Sequence, residues 1–349
     1  MEKICAIDLF CGAGGLTHGL ISAGIDVVAG IDLDPECKWA YEENNNAKYI
    51  NANISDVSGQ DLLRLWPKGS IRVLAGCAPC QPFSRYRKGS PESGDEKWKL
   101  LNEFGRLVKE TSPDVITMEN VPGLIKHSVF EKFVNSLKRQ KYKVWYGVVN
   151  CQEYGVPQKR QRLVLLASKI SGIDLIPPTH EKNSYLTVKD AISSLPYLES
   201  GKADPEDPLH VSQGLSPLNM MRMKQSLPGG TWKDWDPNLV AECHKKSSGK
   251  TYTSVYGRMT WDEPAPTMTT LCFGFGNGRF GHPEQDRGIS LREAALLQSF
   301  PRNYIFTEPG KKIKLGVIGR LIGNAVPVKL GEAVGKSIMK NIYDGRQHG

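Results

Sequence analysis

The sequence predicts an α/β chain: a doubly wound, mostly parallel sheet with a second, smaller, loop-rich domain. Three observations carry this. Up to Ile170, short apolar runs alternate with helix-like stretches. From Ser171 onward, proline and glycine break that pattern. Regular patterning then returns near the C-terminus, from Ser290.

Strands are expected at Ile4–Phe10, Asp26–Ile31, Ile71–Gly76, Val115–Glu119, Lys143–Val149 and Leu163–Ala167. Helices are expected at Leu16–Ala23, Pro35–Asn44, Leu100–Glu110 and Val129–Arg139. Strands that alternate with helices form parallel sheets covered on both faces. Ligands of such sheets bind beyond the carboxyl ends of the strands. The loop-rich part carries Pro177-Pro178, Asp204-Pro205, Asp207-Pro208, Ser216-Pro217, Pro228-Gly229-Gly230 and Asp236-Pro237. Helices follow at Ser290–Phe300 and Pro327–Tyr343, the latter with a stripe of Leu330, Val334, Ile338 and Ile342.

Composition narrows the class. The chain has 349 residues and is 40% hydrophobic, enough for one large or two modest cores. No long apolar run predicts a membrane span. The start, MEKICAIDLF, lacks the sections of a signal peptide, so a cytoplasmic protein is expected. Eight scattered cysteines do not read as a disulfide framework. Cys77 and Cys80 form one CxxC pair, but no second pair completes a zinc set, and no metal is expected. The formal net charge of +8 permits a polyanionic partner. Segment 181–250 is neutral, with nine Lys/Arg against nine Asp/Glu, so the surplus lies elsewhere.

Asp8-Leu9-Phe10-Cys11-Gly12-Ala13-Gly14-Gly15-Leu16 closes the first strand and opens a helix. Glycines let the backbone turn sharply and approach a ligand. Asp32 ends the next strand and is placed to accept from ribose hydroxyls, while Asp34 reads as the cap of the helix at Pro35. A tight structural turn is the plainer reading of the glycines alone. The turn lacks dinucleotide spacing and no P-loop lysine exists. A single nucleoside such as S-adenosylmethionine therefore fits better than NAD or ATP.

Two further strand ends carry chemistry. Ile71–Gly76 leads into Cys77-Ala78-Pro79-Cys80-Gln81-Pro82-Phe83-Ser84, where prolines bracket Cys80. Val115–Met118 leads into Glu119-Asn120-Val121-Pro122. A thiolate nucleophile and a carboxyl would then share one sheet edge. A buried structural acid is an equally good reading of Glu119 alone.

In order and spacing, these blocks resemble the DNA (cytosine-5) methyltransferase family of bacterial type. The resemblance spans most of the chain. It rests on Asp8–Gly15, Pro79–Ser84, Glu119-Asn120-Val121, Gln158-Lys159-Arg160-Gln161-Arg162 and Gly323-Asn324-Ala325-Val326. It implies a Rossmann-like methyltransferase sheet over 1–179 plus 313–349 and a target-recognition domain over 180–312. It implies S-adenosylmethionine as cofactor, S-adenosylhomocysteine as product and duplex DNA as substrate.

By position, the resemblance makes Cys80 the nucleophile that adds to carbon 6 of a flipped-out cytosine. Glu119 holds and protonates the base, a role that asks for a raised carboxyl pKa. Arg162 contacts the cytosine, and Arg160 helps to position phosphate and substrate. Phosphate binding without chemistry is the plainer reading of both. The cofactor set is Phe10, Gly12, Ala13, Gly14, Gly15, Leu16, Asp32, Leu33, Asn53, Ile54, Pro79, Leu100, Asn324 and Ala325. Asn324 alternatively reads as a helix cap. The DNA contacts are Gln81, Ser84, Arg85, Arg87, Lys88, Lys97 and Arg258, with Arg222, Lys224, Lys245 and Lys250 as further candidates. The loop Arg85–Lys99 resembles a flap that closes over DNA. Pro266–Thr270 resembles the block that supports the recognition region. Phe273–Phe280 reads either as amides near phosphate or as a hairpin turn.

Three positions depart from the family pattern: Asn53 for an aspartate, Leu33 for a large aromatic and Lys97 for an arginine. The resemblance also implies a monomer near the nucleoid, with a cognate restriction endonuclease as companion. Three rivals are weighed. A tRNA cytosine-5 methyltransferase would carry Cys-Phe-Thr, and here Cys272-Phe273-Gly274 lacks the threonine. A non-catalytic nucleic-acid-binding module would not need Cys80, Glu119 and Arg162 together. A thiol oxidoreductase using Cys77 and Cys80 would leave the glycine turn unexplained.

Overall fold

The computed structural model describes residues 2–79 and 99–347. Cys80, Gln81, Ser84, Arg85, Arg87, Lys88 and Lys97, and with them the flap Arg85–Lys99 up to residue 98, lie outside the described residues. The chain packs as two compact units. One is Met1–Tyr154, Gln161–Thr179 and Val326–Gly349; the other is Gly155–Arg160 and His180–Ala325.

The first unit is a seven-stranded sheet in the order β3-β2-β1-β4-β5-β7-β6. In chain order it runs β1 (Ile4–Leu9), α1 (Gly15–Ser22), β2 (Asp26–Asp32), α2 (Lys38–Asn45), β3 (Lys48–Asn51) and α3 (Gly59–Leu65). β4 (Ile71–Gly76), α4 (Lys99–Thr111), β5 (Val115–Asn120), α5 (Ser128–Arg139), β6 (Lys143–Asn150) and β7 (Gln161–Ser168) follow. β1 to β5 are parallel, and β7 runs antiparallel to both of its neighbours. The mostly parallel sheet expected from the sequence is the fold observed.

Central strands here are buried on both faces, so their sequences are continuous apolar runs rather than alternating ones. β5 is buried at every position, Glu119 and Asn120 included. α4 buries Leu101, Phe104, Leu107, Val108 and Thr111, a helical stripe laid on the sheet. Phe104 and Phe133 meet there with ring centroids 5.8 Å apart. Burying each such ring stabilises the fold by roughly 1.5–3 kcal/mol.

In the first unit, one strand and one α-helix escaped the sequence reading. β3 is a four-residue edge strand with Tyr49 as its one buried residue, so it shows no apolar run. α3 is barely two turns long and starts on a capping box between Ser58 and Asp61. The last helix, Val328–Gln347, runs beyond the expected Tyr343 and lies against α1. The approach is backbone-close: a Cβ on Gly19 would stand 2.5 Å from Glu332 N.

The second unit has little regular structure. Its longer helices are Pro217–Gln225, Leu291–Leu297 and Leu315–Asn324. A small core joins Met223, Trp232, Trp235, Val255 and Phe275. Segment 313–325 packs in this unit, whereas the sequence reading grouped it with the sheet. The glycines give the reason. A Cβ on Gly319 would lie 2.5 Å from the Phe273 ring, and one on Gly323 would lie 2.3 Å from the Thr269 backbone.

Buried side chains replace the missing ladders by satisfying carbonyls. Arg258 donates to Ser226 O at 2.9 Å, Met223 O at 3.0 Å, His282 O at 3.0 Å and Gln285 O at 2.6 Å. It also pairs with Asp286. Arg287 and Glu293, both fully buried, form a bidentate pair with both bonds at 2.7 Å. Burial pushes the Glu293 carboxyl up, but its Arg287 bonds and charge outweigh that and hold it below the usual range. His282 accepts two backbone N–H bonds on Nδ1, and burial lowers its pKa to about 4.

Candidate functional site

Register brings the motifs of the first unit to one sheet edge. Leu9 is level with Gly76 and Gly76 with Met118, so β1 and β4 end together and β5 runs two residues further, to Asn120. β7 enters from that edge, with Asn120 opposite Leu163. The chain order reverses between β1 and β4, the place where open α/β sheets bind ligands.

The turn after β1 is built on left-handed backbone. Phe10 has φ 59°, Gly12 φ 52° and Gly14 φ 89°. Gly14 stands just before α1, where a side chain would strain the turn. Among the described residues, nothing lies within 4 Å of where a Gly12 Cβ would stand. Ala13 and Leu16 are buried beneath the turn, and Gly15 is the first residue of α1.

Asp32 holds the turn closed. Its Oδ2 accepts from Gly12 N at 2.9 Å and its Oδ1 from Asp34 N at 3.0 Å. Asp34 caps the short 3₁₀ turn at Pro35, as read from the sequence. Leu33 between them is 66% exposed. Asn53 is exposed and caps the next turn by accepting from Ser55 N at 3.1 Å, while Ile54 is buried. Leu100 is half-buried in the first turn of α4, and Pro79 is exposed.

Below the turn, Asp8 is fully buried. Its Oδ2 accepts from Thr17 Oγ1 at 2.7 Å, and its Oδ1 has no hydrogen-bond partner among the described residues. Burial pushes its carboxyl up to about 7, against the Thr17 bond and with the Asp32 charge adding. The sequence reading gave Asp8 no role. An acid inside an apolar strand is the signal it passed over.

At the end of β5, Glu119 is 5% exposed and held from two sides. Arg162 Nε lies 2.6 Å from Oε1, forming a nearly buried ion pair. The Cys77 thiol donates to Oε2 at 2.8 Å. Burial, then the Glu119 charge and bond, push the Cys77 thiol well above its ordinary range, so it stays protonated. A thiol kept in that state is a poor redox or metal group, which removes what the CxxC spacing suggested. Cys272 is likewise buried and pushed up to about 12, so the Cys272-Phe273-Gly274 element carries no nucleophile.

Two arginine expectations need correction. Arg160, expected to position phosphate and substrate, is 3% exposed. It donates to Met268 O at 2.8 Å, Gln158 Oε1 at 3.3 Å and Gly323 O at 3.2 Å. Its head is committed to backbone, so it braces rather than reaches. Arg258, expected on DNA, is 5% exposed with its guanidinium spent on four carbonyls and Asp286. Among the remaining candidates, Arg222 bonds Leu239 O at 2.8 Å and lies over the Trp235 and Tyr256 rings. Lys245 pairs with Glu242, and Lys224 and Lys250 are exposed.

The braced arginine belongs to a lattice within the second unit. Gln158 donates to Leu297 O and Gln298 Oε1 and accepts from Met268 N. Gln298 in turn donates to Ile322 O at 2.7 Å. The lattice fixes Pro266–Thr270 against the Gly323-Asn324-Ala325 end of its helix. Asn324 itself is exposed and Ala325 buried. Phe273–Phe280 is neither hairpin nor open loop: its three phenylalanines are buried around a 3₁₀ turn at Phe275–Asn277.

Comparison with known proteins agrees with this geometry. A model of the C-5 cytosine-specific DNA methylase family matches residues 4–340. The Type II methylase M.HgiDII of Herpetosiphon aurantiacus is 54% identical, covering 96% of this chain and 94% of that one. The Type II methyltransferase M.Eco47II of Escherichia coli is 32% identical over 95% of this chain and 78% of that one. A solved DNA modification methyltransferase encoded within an E. coli prophage shares the fold, with TM-score 0.70 at 22% identity. It covers 98% of this chain and 100% of that chain.

Proposed function

The chain belongs to the C-5 cytosine-specific DNA methylase family, and from that premise we propose how its residues do the work. The enzyme methylates carbon 5 of a cytosine in a specific duplex DNA sequence. The observation that carries the site assignment is Glu119, buried at a strand end with Arg162 on one oxygen and a thiol on the other.

The target base leaves the helix, because its ring is out of reach inside a duplex. Cys80, as thiolate, adds to carbon 6. Glu119 takes up a proton from solvent as Arg162 turns away, gives it to ring nitrogen 3 and accepts from the exocyclic amine. Loss of aromaticity makes carbon 5 enamine-like and nucleophilic. S-adenosylmethionine, when bound, supplies the electrophilic methyl group. A water removes the carbon 5 proton, Cys80 is expelled and the nitrogen 3 proton returns to Glu119. Arg162, paired with Glu119 when no base is present, turns to the base oxygen as the base arrives.

The residues fit a nucleoside cofactor. Among the described residues, nothing crowds the Gly12 backbone. Phe10 and exposed Leu33 offer apolar faces to adenine. Asp32 keeps lone pairs for ribose beyond those used by Gly12 N and Asp34 N. Ala13, Gly14, Gly15, Leu16, Asn53, Ile54, Pro79 and Leu100 line the remainder. Catalysis is assigned to the sheet unit and target choice to the loop-rich unit. Gln81, Ser84, Arg85, Arg87, Lys88 and Lys97 supply DNA contacts. The Type II names of the relatives support a cognate restriction endonuclease as companion. The enzyme works as a cytoplasmic monomer at the nucleoid, without metal.

The test is Cys80→Ala in the full chain. It abolishes methyl transfer while cofactor and duplex binding persist, and turnover by that variant would remove the mechanism. Duplex DNA carrying 5-fluorocytosine traps active wild-type enzyme as a covalent adduct, because fluorine cannot leave as a proton does. Parallel assays on tRNA separate the RNA-directed alternative.

A further inference from the structure

Cys77 lies outside every role drawn so far, yet its sulfur touches the acid on which the reaction turns. It follows β4 directly, and its N–H donates to Leu9 O at 3.2 Å, which ties it to β1. The next residue is tied to β5, because Asn120 Nδ2 donates to Ala78 O at 2.9 Å. The thiol is thus fixed by the ends of two strands before it meets Glu119 Oε2 at 2.8 Å. Arg162 occupies the other oxygen, Oε1, at 2.6 Å. A carboxyl keeps its orientation while a fixed donor holds one of its oxygens. A guanidinium that must turn toward the base cannot be the permanent hold. Among the described residues, the other charged group that acts on the thiol is Asp8 on β1, and it does so by charge alone.

We propose that Cys77 is a positioning residue: its thiol donates permanently to Glu119 Oε2 and keeps Oε1 aimed at the incoming cytosine when Arg162 lets go. This rests on Glu119 being the base-holding acid. Because the thiol stays protonated, the bond persists through the cycle. A serine hydroxyl at the same position donates equally well, whereas alanine or valine cannot.

The test uses full-length enzyme, saturating duplex DNA and saturating S-adenosylmethionine in single-turnover methyl transfer. Cys77→Ala lowers the rate about tenfold, the size of one charge-assisted hydrogen bond, and leaves the KM values for DNA and cofactor within about twofold. Cys77→Val, which fills the thiol's volume without a donor, behaves the same and covers the case of an unstable alanine variant. Cys77→Ser returns the rate to within about twofold of wild type. A wild-type rate in the alanine and valine variants, or a serine variant as slow as they are, overturns the proposal. Glu119→Gln is run alongside. If it keeps the wild-type rate, the reading of Glu119 fails instead. If it is slow, adding Cys77→Ala to it costs no further rate, because the thiol acts only through that carboxylate.

Discussion

Arg162 and Arg160 stand two residues apart in one motif, and their surroundings have little in common. Arg162 is the second residue of β7, with its head on Glu119 at the sheet edge. Arg160 belongs to the loop-rich unit and spends its head on Met268 O, Gly323 O and Gln158. The difference follows from how each unit satisfies its backbone. In the sheet, strand ladders use the carbonyls, so a side chain at a strand end is left for chemistry. In the loop-rich unit few ladders exist, and buried cations take their place. Arg258 and Arg287 follow Arg160 in this.

Four substitutions test that contrast, taken from the largest expected effect downward. Arg162→Ala lowers methyl transfer by about 100- to 1,000-fold, the usual loss when a group that steadies developing charge is removed. Because Glu119 is nearly buried, losing its partner also costs stability, so activity is compared at equal folded fraction. A loss of activity no larger than the loss of folded enzyme would erase the contrast. Arg258→Ala does the opposite. It uncovers four carbonyls and a partner acid, so urea denaturation shows a loss of about 3–5 kcal/mol. What folds still binds duplex DNA with wild-type salt dependence, and a shallower salt slope would return Arg258 to the DNA.

Arg160→Ala is expected to lose roughly 3 kcal/mol, less than Arg258→Ala because fewer acceptors are exposed. Its activity should fall only as far as its folded fraction does.

Asp8→Asn reads out as pH dependence rather than as a loss at one pH. The folded carboxyl sits at about 7 against an ordinary value of 3.8. The folded protein therefore holds this proton more tightly than the unfolded chain does. The stability it contributes is full below about pH 4 and is lost as pH rises toward about 7, with a slope of at most ~1.4 kcal/mol per pH unit. Asp8→Asn flattens that slope in urea denaturation between about pH 4 and about pH 8. An unchanged slope would clear Asp8 of the effect.

Much of the site was legible because its parts are local. The glycine turn is a contiguous string, and the strand preceding each motif announces itself by apolar runs. β3 was not legible, since one buried tyrosine makes no pattern. Nor was the direction of β7, because antiparallel and parallel strands share one periodicity when both faces are covered. Arg258 was misread because a basic residue in a recognition region looks exposed until its carbonyl partners are known. Asp8 was overlooked because a buried acid inside a familiar motif looks like part of the string.

The sequence by itself determined the fold class, the order of the motifs and the kinds of group available: a thiol, a carboxyl, two arginines and a glycine turn. These follow from periodicity and from side-chain chemistry, which neighbours in the chain express. Only the tertiary structure decided which arginine meets Glu119, which is bound to backbone, and that Cys77 lends its proton to the same acid. Those choices depend on strand register and on unpaired carbonyls brought from more than a hundred residues away, as Met268 O is to Arg160. Distances in space of that kind leave no mark on the spacing of residues along the chain.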